Sequence, residues 1–210
     1  MKQTEPTILQ VDGWTFAYPG RPLLQGWSAR IKPGMSLVLG GDGAGKTTLL
    51  RLLAGALPAQ SGSALLMGQP LQASDAARSS RVYWMEPRSA GLDALSPAQW
   101  FEQLLQRYPQ WDADALQQQV QGFGLTPHLH KPMFQLSTGT QRKVLLAAGL
   151  ASGAELTLFD EPIAGLDKPS ILYLQQALAH QAMQPRRAFV VAHYEPLPGV
   201  PWRDTWVLPD

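Results

Sequence analysis

The segment GGDGAGKT, from 40 to 47, combines glycines with a lysine and a threonine at a spacing that suits phosphate chemistry. Glycine reaches positive φ and lets the backbone approach a ligand closely, so successive N–H groups can converge on an anion. The apolar run MSLVL before the segment and TTLLRLLAGAL after it predict a strand, a loop and a helix whose N-terminus faces the loop. In this arrangement the Lys46 ammonium reaches the β- and γ-phosphates of a nucleotide, and the Thr47 hydroxyl ligates Mg²⁺. The predicted nucleotide-binding residues are Gly40, Gly41, Asp42, Gly43, Ala44, Gly45, Lys46, Thr47 and Thr48.

A second acidic site follows another apolar run, in ELTLFDEP from 155 to 162. Asp160 and Glu161 come at the carboxyl end of this predicted strand, and ligands of parallel α/β sheets bind beyond those ends. Asp160 is therefore the predicted acidic partner of Thr47 at the metal. Glu161 lies one residue further out, where its carboxylate can polarise an attacking water. A lone acidic pair after a strand more often begins a solvated loop, and the nearby phosphate loop favours the functional interpretation.

The composition excludes several classes of protein. Hydrophobic residues make up 45% of the 210 residues and charged residues 16%, which is typical of a globular chain with a core. The formal net charge of +1 offers no broad basic surface, so we expect no nucleic-acid partner. Cysteine is absent from the sequence, which excludes disulfides and thiolate metal sites. No apolar stretch approaches the roughly 20 residues that a membrane-spanning helix needs, and we expect a cytoplasmic protein unless a partner holds it at a membrane.

The segment LSTGTQRKV, from 136 to 144, resembles the signature of the ATP-binding cassette (ABC) family, whose commonest form is LSGGQ. Leu136, Ser137 and Gly139 match this form, whereas Thr138 and Thr140 depart from it. Independently of the resemblance, the segment precedes a helical run, so it predicts a helix N-terminus with a hydroxyl beside it, which is a good anion site. GGDGAGKT and TLFDEP take the places of the family's Walker A and Walker B motifs.

Three further motifs extend the resemblance over nearly the whole chain. IAGLD resembles the family's D-loop, with Asp167 in the aspartate place. FVVAHYE puts His193 at the end of an apolar strand, where the family has its switch histidine, and we expect this strand beside the phosphate-loop strand. FAYPG puts Tyr18 where the family stacks an aromatic ring on adenine. This order of motifs is highly specific for ABC cassettes.

The resemblance implies a mechanism and partners. Two ATPase subunits, identical or pseudo-symmetric, would dimerise head-to-tail, so that ATP on one phosphate loop is covered by residues 137–140 of the other subunit. Glu161 would orient the attacking water and His193 would hold the γ-phosphate, with ATP and Mg²⁺ as the ligands. A separate transmembrane permease would hold the dimer at the cytoplasmic face of the membrane. The alternatives are a soluble non-transport ABC ATPase and a regulatory nucleotide binder that hydrolyses weakly.

One position departs from the family in a way that concerns the metal. The family usually has a glutamine after the strand that leads to its helical subdomain, and VYWMEPR puts Glu86 there. A carboxylate can approach Mg²⁺ or its waters, but it cannot donate a hydrogen bond as an amide does. The other interpretation is that Glu86 faces solvent or a partner chain, and the sequence leaves both open.

The predicted fold is α/β, a P-loop NTPase with an ABC-type core, an N-terminal antiparallel β subdomain and an inserted α-helical subdomain. Residues 1–210 form one domain, with 1–90 and 137–210 as the nucleotide-binding core and 91–136 as the helical subdomain. The β-type alternation of residues 1–35 and two helical segments rich in glutamine within 91–136 support this division. Trp100 and Phe101, in the first of these segments, are predicted either in the core or facing a partner.

Overall fold

The computed structural model describes residues 6–71, 79–84 and 90–209, which form two β-sheets and the helices that pack on them. The antiparallel sheet has the order β2-β1-β4-β5 and contains β1 (Leu9–Tyr18), β2 (Arg21–Ile31), β4 (Ser61–Leu66) and β5 (Gln69–Pro70). The parallel sheet has the order β6-β7-β8-β3-β9 and contains β3 (Gly34–Leu39), β6 (Val82–Trp84), β7 (Leu156–Asp160), β8 (Ala188–His193) and β9 (Trp202–Val207). The helices are α1 (Lys46–Leu53), α2 (Pro97–Arg107), α3 (Ala113–Gly122), α4 (Thr138–Ala151) and α5 (Lys168–Gln181).

The parallel sheet is a central layer that is covered on both faces. Every residue of β8 is buried, and its side chains alternate between two hydrophobic clusters. Val190 packs in a cluster with α1 and the antiparallel sheet, whereas Phe189 and Val191 pack in a cluster with α4 and α5. The α/β class and the N-terminal antiparallel sheet that the sequence predicts are confirmed.

The helices between β6 and α4 are fixed by caps and by a shared core. Ser96 and Gln99 form a reciprocal capping box at the start of α2, and Asp112 caps α3. Trp100 and Phe101 are only 3% and 5% exposed and belong to the same cluster as residues of α4, so the core interpretation is confirmed and the partner-facing one is wrong. The division of the chain at 91–136 stays a prediction. Among the described residues, no helix is both long and apolar enough to cross a bilayer.

A group of tryptophans fixes the antiparallel sheet against the edge of the parallel one. The ring of Trp27 stacks on Trp14 at a centroid distance of 6.2 Å and meets Trp206 of β9 edge-on at 5.7 Å. Aromatic pairs of this kind contribute about 1 kcal/mol each beyond the area that they bury. The contact sets the position of β1 and β2 relative to β3, and therefore of the turn between β1 and β2 relative to the loop that follows β3.

Candidate nucleotide-binding site

The carboxyl ends of β3, β7 and β8 meet at one edge of the parallel sheet. Leu39, the last residue of β3, pairs with His193, and Asp160 pairs with Ala192. The predicted position of the histidine strand beside the phosphate-loop strand is confirmed. The phosphate loop, the acidic pair and the histidine therefore share one edge, which is where parallel α/β sheets bind ligands.

The loop from 40 to 45 allows a ligand to approach its backbone closely. Gly43 and Gly45 have positive φ, at 79° and 97°, and a Cβ on Gly45 would run into the side chain of Leu23. A Cβ on Gly40 would lie 2.9 Å from that of Ala44. Within the described part of the chain, no side chain caps the first turn of α1. Its free N–H groups and the helix dipole can therefore serve an anion.

Lys46 is the cation of the site, and its side chain is only 6% exposed. The ammonium donates to the carbonyls of Gly40 at 2.8 Å and Gly41 at 2.9 Å, and it pairs with Glu161 Oε1 at 3.0 Å. Because an ammonium has three donors, these contacts satisfy it fully. The structure thus brings the predicted phosphate-binding cation and the predicted base into direct contact.

Thr47 and Asp160 form a pair that fits a metal ion. Thr47 Oγ1 donates to Asp160 Oδ2 at 2.5 Å, and within the described residues the buried Asp160 Oδ1 has no hydrogen-bond partner. Burial raises the pKa of Asp160 above its usual range, and the Glu161 charge adds to this, whereas the Thr47 hydrogen bond and the charges of Lys46 and Arg142 oppose it. A buried carboxylate with an unused oxygen beside a hydroxyl is a suitable ligand set for Mg²⁺, which keeps waters and phosphate oxygens as its other ligands.

The raised pKa predicts that Asp160→Asn makes the protein more stable at neutral pH. Because the folded-state pKa of Asp160 is raised, the folded chain binds a proton more readily than the unfolded chain. Stability therefore falls as pH rises from the unfolded-state pKa through the folded-state pKa, and the loss remains at neutral pH. We expect Asp160→Asn to unfold at a higher temperature than the parent at pH 7.5, with a smaller difference at pH 5. Asp93→Asn, at an exposed position, is the control and should leave the melting temperature unchanged. A lower melting temperature of Asp160→Asn at pH 7.5 would contradict the electrostatic assignment.

Glu161 and His193 face each other across the same edge. Glu161 has φ of 43°, a left-handed conformation that costs about 1–2 kcal/mol for a residue with a Cβ. Its N–H donates to Ala192 O at 2.9 Å, and its Oε2 lies 3.5 Å from His193 Nε2. The His193 ring is 1% exposed, and its Nδ1 lies within hydrogen-bonding distance of both the carbonyl (3.0 Å) and the N–H (3.2 Å) of Glu195. A carboxylate and an imidazole held this way can together orient a water and a phosphoryl oxygen.

The segment from 137 to 140 caps α4. Ser137 Oγ accepts from the Thr140 N–H at 3.2 Å and lies 2.9 Å from the Thr140 hydroxyl, while Thr138 is exposed. A Cβ on Gly139 would run into the carbonyl oxygen of Gly165. Glycine is therefore the residue that allows the start of α4 to pack against the loop after β7.

Comparison with known proteins identifies the family. The family model described as ABC transporter matches residues 24–164, which is more than half of the chain. The chain belongs to the ABC transporter family. It is 33% identical to the cytochrome c biogenesis ATP-binding export protein CcmA of Pseudomonas savastanoi over 190 residues, which cover 90% of this chain and 89% of that protein. It is 28% identical to the manganese transport system ATP-binding protein MntB of Bacillus subtilis over 192 residues, which cover 88% of this chain and 76% of that protein.

The solved structures agree with this family at the level of the fold. A dimeric ATP-binding cassette in a post-hydrolysis state with ADP and Pi matches with a TM-score of 0.73 at 18% identity, over 89% of this chain and 88% of that one. As a member of the ABC family, the chain is an ATP-binding protein and an ATP hydrolase.

The ABC D-loop position is held by two contacts of Asp167. Its Oδ1 accepts from the Ser170 N–H at 2.9 Å, which caps α5, and its Oδ2 pairs with Lys143 Nζ at 2.6 Å. The Lys143 hydrogen bond and those from Ser170 hold the pKa of Asp167 well below its usual range. In this structure Asp167 joins α5 to α4, and its role at a nucleotide stays a prediction.

Tyr18 lies beside the phosphate loop with its ring partly free. The ring is 44% exposed, packs edge-on against Phe16 at 5.1 Å, and carries a hydroxyl 3.2 Å from Thr48 Oγ1. This position is suitable for stacking on a nucleotide base that enters over the loop. Of the predicted site residues, Glu86 lies outside the residues that the structure describes.

Two arginines that the sequence analysis missed hold the loops of the site. Arg21 Nη2 donates to the carbonyl of Gly43 at 2.8 Å, from the turn between β1 and β2. Arg142 Nη1 donates to the carbonyls of Glu161 at 2.9 Å and Ala164 at 2.5 Å, from the second turn of α4. The only sequence signal is their closeness to motif residues, since Arg21 directly follows FAYPG and Arg142 comes two residues after LSTGT.

Proposed function

We propose that this ABC cassette is the ATPase subunit of a membrane transporter whose membrane-spanning part is a separate chain. The observation that carries the proposal is the convergence of the phosphate loop, Asp160, Glu161 and His193 at one sheet edge in a chain that belongs to this family. Relatives named for cytochrome c biogenesis export and for manganese transport share the cassette. We infer that the cassette supplies the hydrolysis and the membrane partner selects the cargo, with the cassette peripheral at the cytoplasmic face.

The proposal is tested by purifying the chain from detergent-solubilised membranes. A chain with membrane-spanning segments should co-purify and should raise the ATPase rate of the cassette. Recovery with ribosomes or nucleic acid and without such a chain would contradict the transport assignment and support a soluble ABC ATPase.

In the proposed reaction Lys46 exchanges one partner for another. Its ammonium keeps the carbonyls of Gly40 and Gly41 and moves its third hydrogen bond from Glu161 to the β- and γ-phosphates. The Glu161 carboxylate is thereby freed of its cation and becomes a base for the attacking water. His193, which is 3.5 Å from this carboxylate, holds the γ-phosphate.

Different residues bind the metal ion and the adenine ring. Thr47 and Asp160 would hold Mg²⁺, which when bound supplies positive charge to the β- and γ-phosphate oxygens. Tyr18 stacks on adenine at the rim of the loop. The loop N–H groups and the uncapped start of α1 bind the phosphates from one side only.

A second subunit completes the site from the other side. Residues 137–140 form a helix N-terminus with the Ser137 hydroxyl beside it, which suits a phosphate oxygen. In a head-to-tail dimer this segment of each subunit covers ATP on the phosphate loop of the other, and one two-fold axis builds both sites. We therefore infer that each ATP site takes residues from two cassettes.

Mixing two inactive variants tests this claim. Lys46→Ala removes the phosphate-binding cation and Ser137→Arg blocks the signature, so each variant alone should be inactive. In a mixed dimer, the intact phosphate loop of the Ser137→Arg subunit faces the intact residues 137–140 of the Lys46→Ala subunit. Random pairing makes half of the dimers mixed with one of two sites complete, so we expect about a quarter of the parental ATPase rate. Lys46→Ala mixed with Glu161→Gln is the control and should stay inactive, because both changes affect a subunit's own site. Failure of the first mixture to recover activity would contradict the shared site.

A further inference from the structure

The backbone of Glu161 is held from two sides. Its left-handed φ of 43° is unfavourable for a residue with a Cβ, so contacts must fix it. On one side its N–H donates to Ala192 O at 2.9 Å, which joins it to β8. On the other side its carbonyl accepts from Arg142 Nη1 at 2.9 Å. The same nitrogen donates to Ala164 O, and the Ala164 N–H donates back to Glu161 O at 3.2 Å. Arg142 therefore closes both ends of the turn that carries Glu161.

The helix that supplies Arg142 is fastened to this loop at two more points. The start of α4 packs so closely on Gly165 that Gly139 has no room for a Cβ. Lys143 pairs with Asp167 at 2.6 Å. The guanidinium of Arg142 also carries a positive charge that interacts with the carboxylates of Asp160 and Glu161. The first turns of α4 and the loop after β7 are thus one connected unit.

We propose that Arg142 is a positioning residue for the Glu161 carboxylate. The inference rests on the proposed function, because Glu161 is the base there. In this structure the carboxylate is held by Lys46 at 3.0 Å. In the proposed reaction Lys46 turns to the phosphates. The backbone contacts of Glu161 with Ala192 and Arg142 then remain to orient the carboxylate toward the water. Arg142 also belongs to α4, which begins at residues 137–140. In the proposed dimer, the helix that positions Glu161 in one ATP site therefore also covers ATP in the other site.

This role predicts an effect on turnover with little effect on ATP binding. Arg142→Met keeps the aliphatic stem and removes the donors, and we expect kcat to fall about tenfold or more through misplacement of the base, with the Kd for ATP within about twofold of the parent. Arg142→Lys restores one nitrogen with three donors, which can serve both carbonyls as Nη1 does, and should recover most of the lost kcat. Arg81→Met is the matched control, since Arg81 pairs with Glu155 at 3.3 Å at the amino end of β7. It should keep the parental kcat.

The measurements are steady-state ATPase rates and calorimetric ATP affinities of the purified full chain and its variants. A parental kcat in Arg142→Met, or no recovery in Arg142→Lys, would overturn the inference. If Arg142→Met does not bind ATP because it does not fold, Arg142→Gln replaces it. The shorter glutamine side chain stays polar but does not reach both carbonyls, so a lower kcat at parental affinity supports the inference and a parental kcat overturns it.

Glu161→Gln in the same assay separates this inference from the proposed function. If Glu161→Gln hydrolyses ATP slowly while Arg142→Met keeps the parental rate, Arg142 has no positioning role and Glu161 remains the base. If Glu161→Gln hydrolyses ATP at the parental rate, Glu161 is not the base, and the proposed function on which the inference rests is contradicted as well.

Discussion

Glu161→Gln should leave ATP bound and slow its hydrolysis by ~10²-fold or more, because it removes the base and preserves the shape of the side chain. The structure adds a second expectation. Glu161 Oε1 pairs with Lys46 at 3.0 Å, so ATP has to displace this carboxylate from the ammonium. The neutral amide competes less well for Lys46, and the variant should bind ATP at least as tightly as the parent. Unhydrolysed ATP at both sites should then trap a dimer that size-exclusion chromatography with MgATP detects.

Glu155→Gln is the matched control for this experiment. Glu155 precedes the other end of β7 and pairs with Arg81 at 3.3 Å, so it receives the same chemical change away from the site. Its ATPase rate and its elution volume should equal those of the parent. If Glu161→Gln remains monomeric with MgATP and hydrolyses it at the parental rate, Glu161 is not the base and another group activates the water.

The parts of the site that follow from local pattern or strand order could be predicted from the sequence. MSLVL is apolar at four of its five positions because both faces of β3 are covered, and the glycines after it provide the left-handed backbone of Gly43 and Gly45. Parallel strands end at a common edge, so a histidine after one buried strand is expected near the loop after another. The pairing of Leu39 with His193 confirms this expectation.

The contacts of Arg21 and Arg142 could not be predicted in the same way. An arginine side chain is long, and its donors bond to whichever carbonyl lies within reach. The partner therefore depends on how two separate elements pack, which no periodicity in the sequence records. Arg21 reaches Gly43 because the tryptophan contacts set the antiparallel sheet against β9, and Arg142 reaches Glu161 because α4 packs close to the loop after β7.

The pairing of Lys46 with Glu161 also lies beyond the sequence patterns. The sequence predicts that both side chains face the phosphates, one as the cation and one as the base. It does not predict that they neutralise each other at 3.0 Å in this structure. Two opposite charges that are both aimed at the same ligand lie close to each other, and pairing lowers the cost of holding the nearly buried ammonium. The pair also keeps the Glu161 carboxylate bound to Lys46 until a phosphate replaces it as the partner of the ammonium.

Lys46→Ala should abolish turnover and weaken binding of MgATP by about 100-fold or more, since charge-assisted hydrogen bonds to a phosphate are the strong ones. Calorimetric titration with MgATP measures the affinity, and thermal unfolding measures it independently. MgATP at a concentration that just saturates the parent raises the melting temperature of the parent and should raise that of the variant much less. Lys32→Ala is the control, because Lys32 lies between β2 and β3, before the amino end of β3, and it should retain both the affinity and the thermal shift. The variant also leaves Gly40 and Gly41 carbonyls and the Glu161 carboxylate without their cation, so its melting temperature without nucleotide should fall. A variant that melts lower but still hydrolyses ATP at the parental rate would show that Lys46 only stabilises the loop, and the phosphate-binding role would have to be assigned elsewhere.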